Sequence, residues 1–155
     1  MSAKIKSQSA KSLGKVVYAR LQPKTDLLGA IKEICTEHSI RNGVILCCMG
    51  SLMNAVFEYA KGAKGSPREN LEITGSLLLH ACQGVICPSY PEGDLVIHLH
   101  GSVRDSEGKV YQGHFAEKGN VVSATADIII SDLGIELIRA PDPETGLIVT
   151  TVKGS

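Results

Sequence analysis

Apolar and polar positions change their spacing several times along this chain, and each change marks an element. Val16 to Leu21 is a short run of strand formers after Gly14 and predicts a first strand. Thr25 or Asp26 can cap a helix, placing an acidic group at its positive end. Leu27, Leu28, Ile31, Ile34 and Cys35 then recur at helical spacing, with Lys32, Glu33 and Glu37 on the other face. Asn42-Gly43 closes this amphipathic helix after about three turns, and His38 in its last turn suits the negative end of the dipole.

Beyond the helix the pattern is that of strands. Gly43 to Met49 is continuously apolar and predicts a strand buried on both faces. Gly50-Ser51 reads as a break, and Leu52 to Ala60 as the next strand. Residues 61–70 are rich in Gly, Lys, Ser and Pro and predict an exposed loop. Strand character returns from Glu72 to Ala81, followed by a proline-punctuated connection from Cys87 to Gly93. Asp94 to Phe115 predicts a β-hairpin, Val121 to Leu133 a long β-branched strand, and 134–139 and 146–152 two final short ones. One early helix and many strands indicate a single α+β domain, its helix flanking a largely antiparallel sheet.

The 155 residues suffice for one buried core, and 16 basic residues balance 16 acidic ones. A free-standing nucleic-acid binder usually carries a basic excess, and the chain as a whole has none. The charge is uneven, however. Residues 1–14 form a Lys/Ser-rich stretch, expected to be a flexible tail ahead of a domain over 15–155. Lys4, Lys6, Lys11 and Lys15 along it are the candidate contacts to DNA. No stretch is apolar over the ~20 residues of a membrane span, and the start lacks the apolar core of a secretory signal. The five cysteines, Cys35, Cys47, Cys48, Cys82 and Cys87, show no CxxC spacing, which fits buried thiols in a reducing cytoplasm.

The candidate chemistry lies in the hairpin. His98 and His100 are two apart on a strand and therefore project to one face. Whether His114 joins them depends on register. If Arg104 pairs with Lys109, His114 lies opposite Leu99 and points away; with a loop one residue longer, or a bulge at Gly108 or Gly113, it lies opposite His100. Three imidazoles on one face can hold a divalent transition metal with a position left open, the arrangement of catalytic zinc. Two histidines alone are more readily explained as hydrogen-bonded residues of a sheet face or subunit boundary, and a third brings the two readings nearer to even. Glu72, Asp105 and Glu117 are the acids placed near enough to support such a site. No nucleophile elbow, phosphate-cradling glycine loop or aromatic stacking platform is present.

These residues, in this order, resemble the PPC domain, the plants and prokaryotes conserved domain. The likeness starts at Arg20 and takes in Asp26-Leu27-Leu28, Gly50-Ser51-Leu52-Met53-Asn54-Ala55 and Leu71-Glu72-Ile73. It continues through His98-Leu99-His100-Gly101-Ser102-Val103 with Asp105 and Gly108, then Gly113-His114, and closes on Arg139, Asp142 and Thr145-Gly146-Leu147. The resemblance implies an α+β domain assembling as a homotrimer. In plants it implies a link to AT-hooks and transcription control (hence a nuclear location), and in microbes DNA association. It also implies zinc at His98, His100 and His114. Gln112 and Lys118 stand where the family commonly has glycine, and no Arg-Gly-Arg-Pro core of an AT-hook is present.

The leading expectation is a trimeric binding or regulatory domain, DNA-associated through its lysine segments and carrying a histidine metal site. The alternatives are a metal-dependent enzyme acting on a small polar substrate at a subunit boundary, and a metal-free interaction module.

Overall fold

In the computed structural model, which describes residues 7–60 and 68–153, eight strands and one helix follow in the order β1 (Val16–Leu21), α1 (Leu27–Glu37), β2 (Gly43–Ala60), β3 (Arg68–Pro88), β4 (Leu95–Arg104), β5 (Val110–Phe115), β6 (Val121–Asp132), β7 (Leu137–Pro141) and β8 (Ile148–Val152). Six strands make one antiparallel sheet in the order β1-β6-β2-β3-β4-β5, and β7 pairs with β8 in a second, two-stranded sheet. Strand β5 also pairs with β2, through Phe57↔Phe115 and Glu58↔His114. This extra pairing closes β2, β3, β4 and β5 into a ring, so residues far apart in sequence meet around His114.

The helix forms where its pattern predicts. Asp26 is its N-cap, with Oδ1 accepting the Gly29 N–H at 2.9 Å, and His38 is its C-cap. Leu27, Leu28, Ala30, Ile31 and Cys35 face inward and pack with Val17, Leu21, Ile45, Cys48, Ile128 and Ile130 of the sheet. All five cysteines are free thiols, and all but Cys47 are buried.

Strand β2 departs from expectation twice. It runs unbroken through Gly50-Ser51, because the chain there passes against β6 instead of turning. A side chain at Gly50 would overlap the Thr125 carbonyl and come within 2.6 Å of the Ala126 Cα. It is also buried on only one face. Cys48 is covered, while Leu46 and Met49 on the other side are 44% and 49% exposed. Tyr18 and Leu78 are exposed beside buried Val17, Leu77 and Leu79, so the face turned away from the helix carries an apolar surface. Strand β3 likewise extends past Ala81 to Pro88, pairing β2 on one edge and β4 on the other.

Gly101 explains how β4 fits between its neighbours. A Cβ there would lie 2.7 Å from Cys82 Sγ and 2.9 Å from Phe115 Cε2. Only glycine lets Phe115 stack on Phe57, with ring centroids 4.6 Å apart. The ring closure and the position of His100 share this close approach.

Candidate metal centre

The hairpin register decides the site. Arg104 pairs with Val110, one residue beyond the shorter alternative, so His100 lies directly opposite His114. The turn is organised by Asp105: its Oδ1 accepts the N–H groups of Glu107 at 3.0 Å and Lys109 at 2.9 Å, and Gly108 takes φ +89°, which suits a residue without Cβ. The longer loop aligns the strands. Gly113 pairs regularly with Gly101, and Gln112 with Ser102, so no bulge is involved and the Gln112 departure leaves the aim of His114 unchanged.

His98, His100 and His114 converge. His98 Nε2 lies 3.1 Å from His100 Nε2, and His114 Nδ1 lies 3.1 Å from that same atom. Ring centroids are 5.0, 4.9 and 5.0 Å apart, and the three donor nitrogens fall within 4.8 Å of one another. Tetrahedral ligands at zinc–nitrogen distances near 2.0–2.1 Å would be about 3.3 Å apart. The donor set therefore fits a transition metal held by three imidazoles, with His100 on the solvent side.

The electrostatics favour the neutral form at His98 and His114. Burial pushes His98 down to about 4, helped by the nearby charges of Arg139, His114, His100 and Arg68. Burial also lowers His114, and His100 adds to the effect, while Glu58 acts in the opposite sense. Neutral imidazole is the form that binds metal.

Of the acids named from sequence, Asp105 is engaged in the turn and also accepts from Tyr111 Oη at 3.3 Å. Glu72 is exposed on β3, opposite Val56, and Glu117 pairs with Lys32 beside the helix. The acid facing His114 is Glu58, which sequence reasoning missed, since only the β2–β5 closure brings it there. Arg68 donates to Glu58 at 2.7 Å. Arg139 was also missed as a site residue: from β7, its Nη1 lies 3.0 Å from His98 Nδ1 and 3.2 Å from Thr150 Oγ1. Its place in the family-like closing motif was its one signal. A groove of about 560 Å³ opens beside His100, lined by Gln83, Ser102 and Gln112 among others.

The lysine segment is elsewhere. Lys4 and Lys6 lie outside the described residues, Lys11 is exposed, and Lys15 Nζ donates to the His38 carbonyl at 2.7 Å. Residues 7–14 form no helix or strand, and the Gly14 N–H bonds to the Asp132 carbonyl at 2.9 Å.

This arrangement coincides with a known domain. The sequence profile of the Plants and Prokaryotes Conserved (PCC) domain matches residues 8–134. The chain belongs to the PCC family. Among solved structures, the PCC chain is similar to a plant- and prokaryote-conserved protein of Pyrococcus horikoshii, 27% identical with a TM-score of 0.77 over 96% of each chain. It shares its fold with a metal-containing protein of Archaeoglobus fulgidus, 24% identical, TM-score 0.78, covering 92% of this chain and 97% of that one. It shares it too with a Ralstonia eutropha protein provisionally named as DNA-binding, 20% identical, TM-score 0.76, covering 87% and 90%. Among curated proteins, it is 30% identical over 82% of its length to the bifunctional protein GlmU of a Synechococcus strain, spanning 19% of that protein. The chain thus spans about a fifth of the length of that curated relative. Among the described residues, no helix is long and apolar enough to cross a membrane.

Proposed function

We propose that this PCC domain is a homotrimeric binding and regulatory module that holds a divalent transition metal, zinc by preference, on His98, His100 and His114. One observation carries the metal reading: three ring nitrogens converge, two of them each 3.1 Å from the His100 nitrogen and all within 4.8 Å, with no acid among them. A site of histidines alone suits zinc better than magnesium or calcium, which favour oxygen ligands. The metal-containing relative from Archaeoglobus, which shares the fold, supports the reading. Bound there, the metal would supply an open Lewis-acid position on the side of His100.

Assembly into a trimer is supported by the apolar sheet face, where Tyr18, Leu46, Met49 and Leu78 are exposed together. DNA association would come through Lys4, Lys6, Lys11 and Lys15, repeated three times so that weak segments act together. The Ralstonia relative's name supports this part. A cytoplasmic protein, or a nuclear one in a eukaryote, fits both roles.

Elemental analysis of untagged protein tests the metal reading. One zinc per chain, lost in a His100→Ala variant, is expected; no metal as purified and no histidine-dependent uptake would overturn it and leave a metal-free interaction module. DNA binding should fall steeply between low and moderate salt, and a salt-independent affinity would contradict the electrostatic mode.

A second reading, a metal-dependent enzyme for a small polar substrate, is favoured by the groove beside His100. Its Gln83, Ser102 and Gln112 offer neutral hydrogen-bonding groups next to the open position. Turnover by zinc-loaded protein that disappears with His100→Ala would decide for it.

A further inference from the structure

Arg139 stands in an unusual relation to the histidines. Strand β7 is held against the segment after β3 by the Tyr90 N–H, which donates to the Arg139 carbonyl at 2.9 Å. From there the guanidinium reaches His98 Nδ1 at 3.0 Å and Thr150 Oγ1 at 3.2 Å. A guanidinium has donors and no acceptor, so His98 Nδ1 must accept. A neutral imidazole carries one proton, which is thereby placed on Nε2. That is the atom that points at His100 Nε2, 3.1 Å away, and the one a metal would need.

Metal-ligating histidines ordinarily show the reverse arrangement, donating the second ring N–H to a carboxylate or carbonyl. Here the second nitrogen meets a donor. A metal on His98 Nε2 requires the proton to leave that atom, and Nδ1 cannot receive it while Arg139 Nη1 occupies its lone pair.

We propose that Arg139 is a positioning residue that holds His98 in the Nε2–H tautomer and so opposes metal loading, which proceeds when the guanidinium withdraws from Nδ1. Solvent then delivers a proton to the vacated Nδ1 and takes one from Nε2, so the ring begins and ends neutral. Arg139 keeps Thr150 Oγ1 as a partner and gains the freedom to meet an anion at the open position. The inference rests on the metal reading of the site, and it gives the apo cluster a defined chain of donors: Arg139 to His98, His98 to His100.

Two measurements test it. Nitrogen-15 NMR of metal-free protein should show His98 with its proton on Nε2, moving toward Nδ1 in Arg139→Gln, whose side-chain oxygen can accept. Zinc affinity by competition with a chromogenic chelator should then rise about tenfold in Arg139→Gln, within the usual range for partners of metal-bound histidines. Arg139→Lys keeps a donor and should stay near the parent value. An Nδ1–H tautomer in the metal-free parent protein overturns the proposal, as does Arg139→Gln binding zinc no more tightly while its melting profile matches the parent. If Arg139→Gln does not fold, the parent tautomer and the Arg139→Lys affinity decide. Failure of every variant and the parent to take up zinc overturns the metal reading instead, a distinct result.

Discussion

Two polar clusters lie near one another along β2, one reached through Val56 and the other through Glu58, and they are built on opposite principles. At the helix start, Asp26 Oδ1 accepts from Gly29 N, while its Oδ2 accepts from Gly119 N at 2.9 Å and Asn120 N at 3.2 Å. Asn120 is fully buried, its Oδ1 accepting from Val56 N at 2.9 Å and its Nδ2 donating to the Ala116 carbonyl at 2.7 Å. At that cluster Asn54 Oδ1 alone is buried without a partner among the described residues. In the histidine cluster three ring nitrogens face one another, and at most one member of each facing pair can donate. A cluster that satisfies its own groups ties elements together; one whose lone pairs converge is left with binding capacity.

The two clusters should differ most on substitution of Asn120. Asn120→Ala strands the Val56 N–H and the Ala116 carbonyl in the interior, a loss of about 3 kcal/mol at 1–3 kcal/mol for each unsatisfied group. Chemical denaturation should show it, with zinc stoichiometry unchanged in the fraction that folds. Were the loss under about 0.5 kcal/mol, the tie between helix and sheet would lie elsewhere.

On the other side, His100→Ala removes the ligand both other rings approach. Zinc affinity should fall about a hundredfold or more, near 2.7 kcal/mol, while the metal-free protein melts close to the parent because His100 is exposed. Competition titration and thermal melts together separate the two effects. A large loss of apo stability would make the histidines structural after all.

The smallest effect concerns pH. His98 is lowered to about 4 in the fold against an ordinary value near 6.5. Between those values the unfolded chain binds the extra proton and the native one does not, so metal-free protein should lose stability as pH falls from about 6.5 to 4. Solvent screening at this half-exposed ring makes the change modest. Denaturation midpoints for the parent and His98→Leu across that window would check it: the parent's slope should be the steeper, and equal slopes would remove His98 as the cause.

Much of this was legible without coordinates because local rules govern it. The cap at Asp26, the apolar stripe from Leu27 to Cys35 and the shared face of His98 and His100 follow from the helical and strand periods. The α+β class and the family likeness follow from the order of such elements. Gly50 misled because a glycine in an apolar run marks either a turn or a close approach, and only the position of β6 distinguishes them. Leu46 and Met49 misled because a continuous apolar run predicts burial on both faces, whereas one chain covers only the helix side.

The sequence by itself thus determined the helix, the strands and two histidines on one face, since each depends on neighbours a few residues away. Tertiary structure decided the rest. The Arg104↔Val110 register aimed His114 at His100, the β2–β5 closure brought Glu58 beside it, and β7 carried Arg139 to His98. The side chains so joined are 14 positions apart for His100 and His114, 41 for His98 and Arg139, and 56 for Glu58 and His114, and no local period encodes such distances.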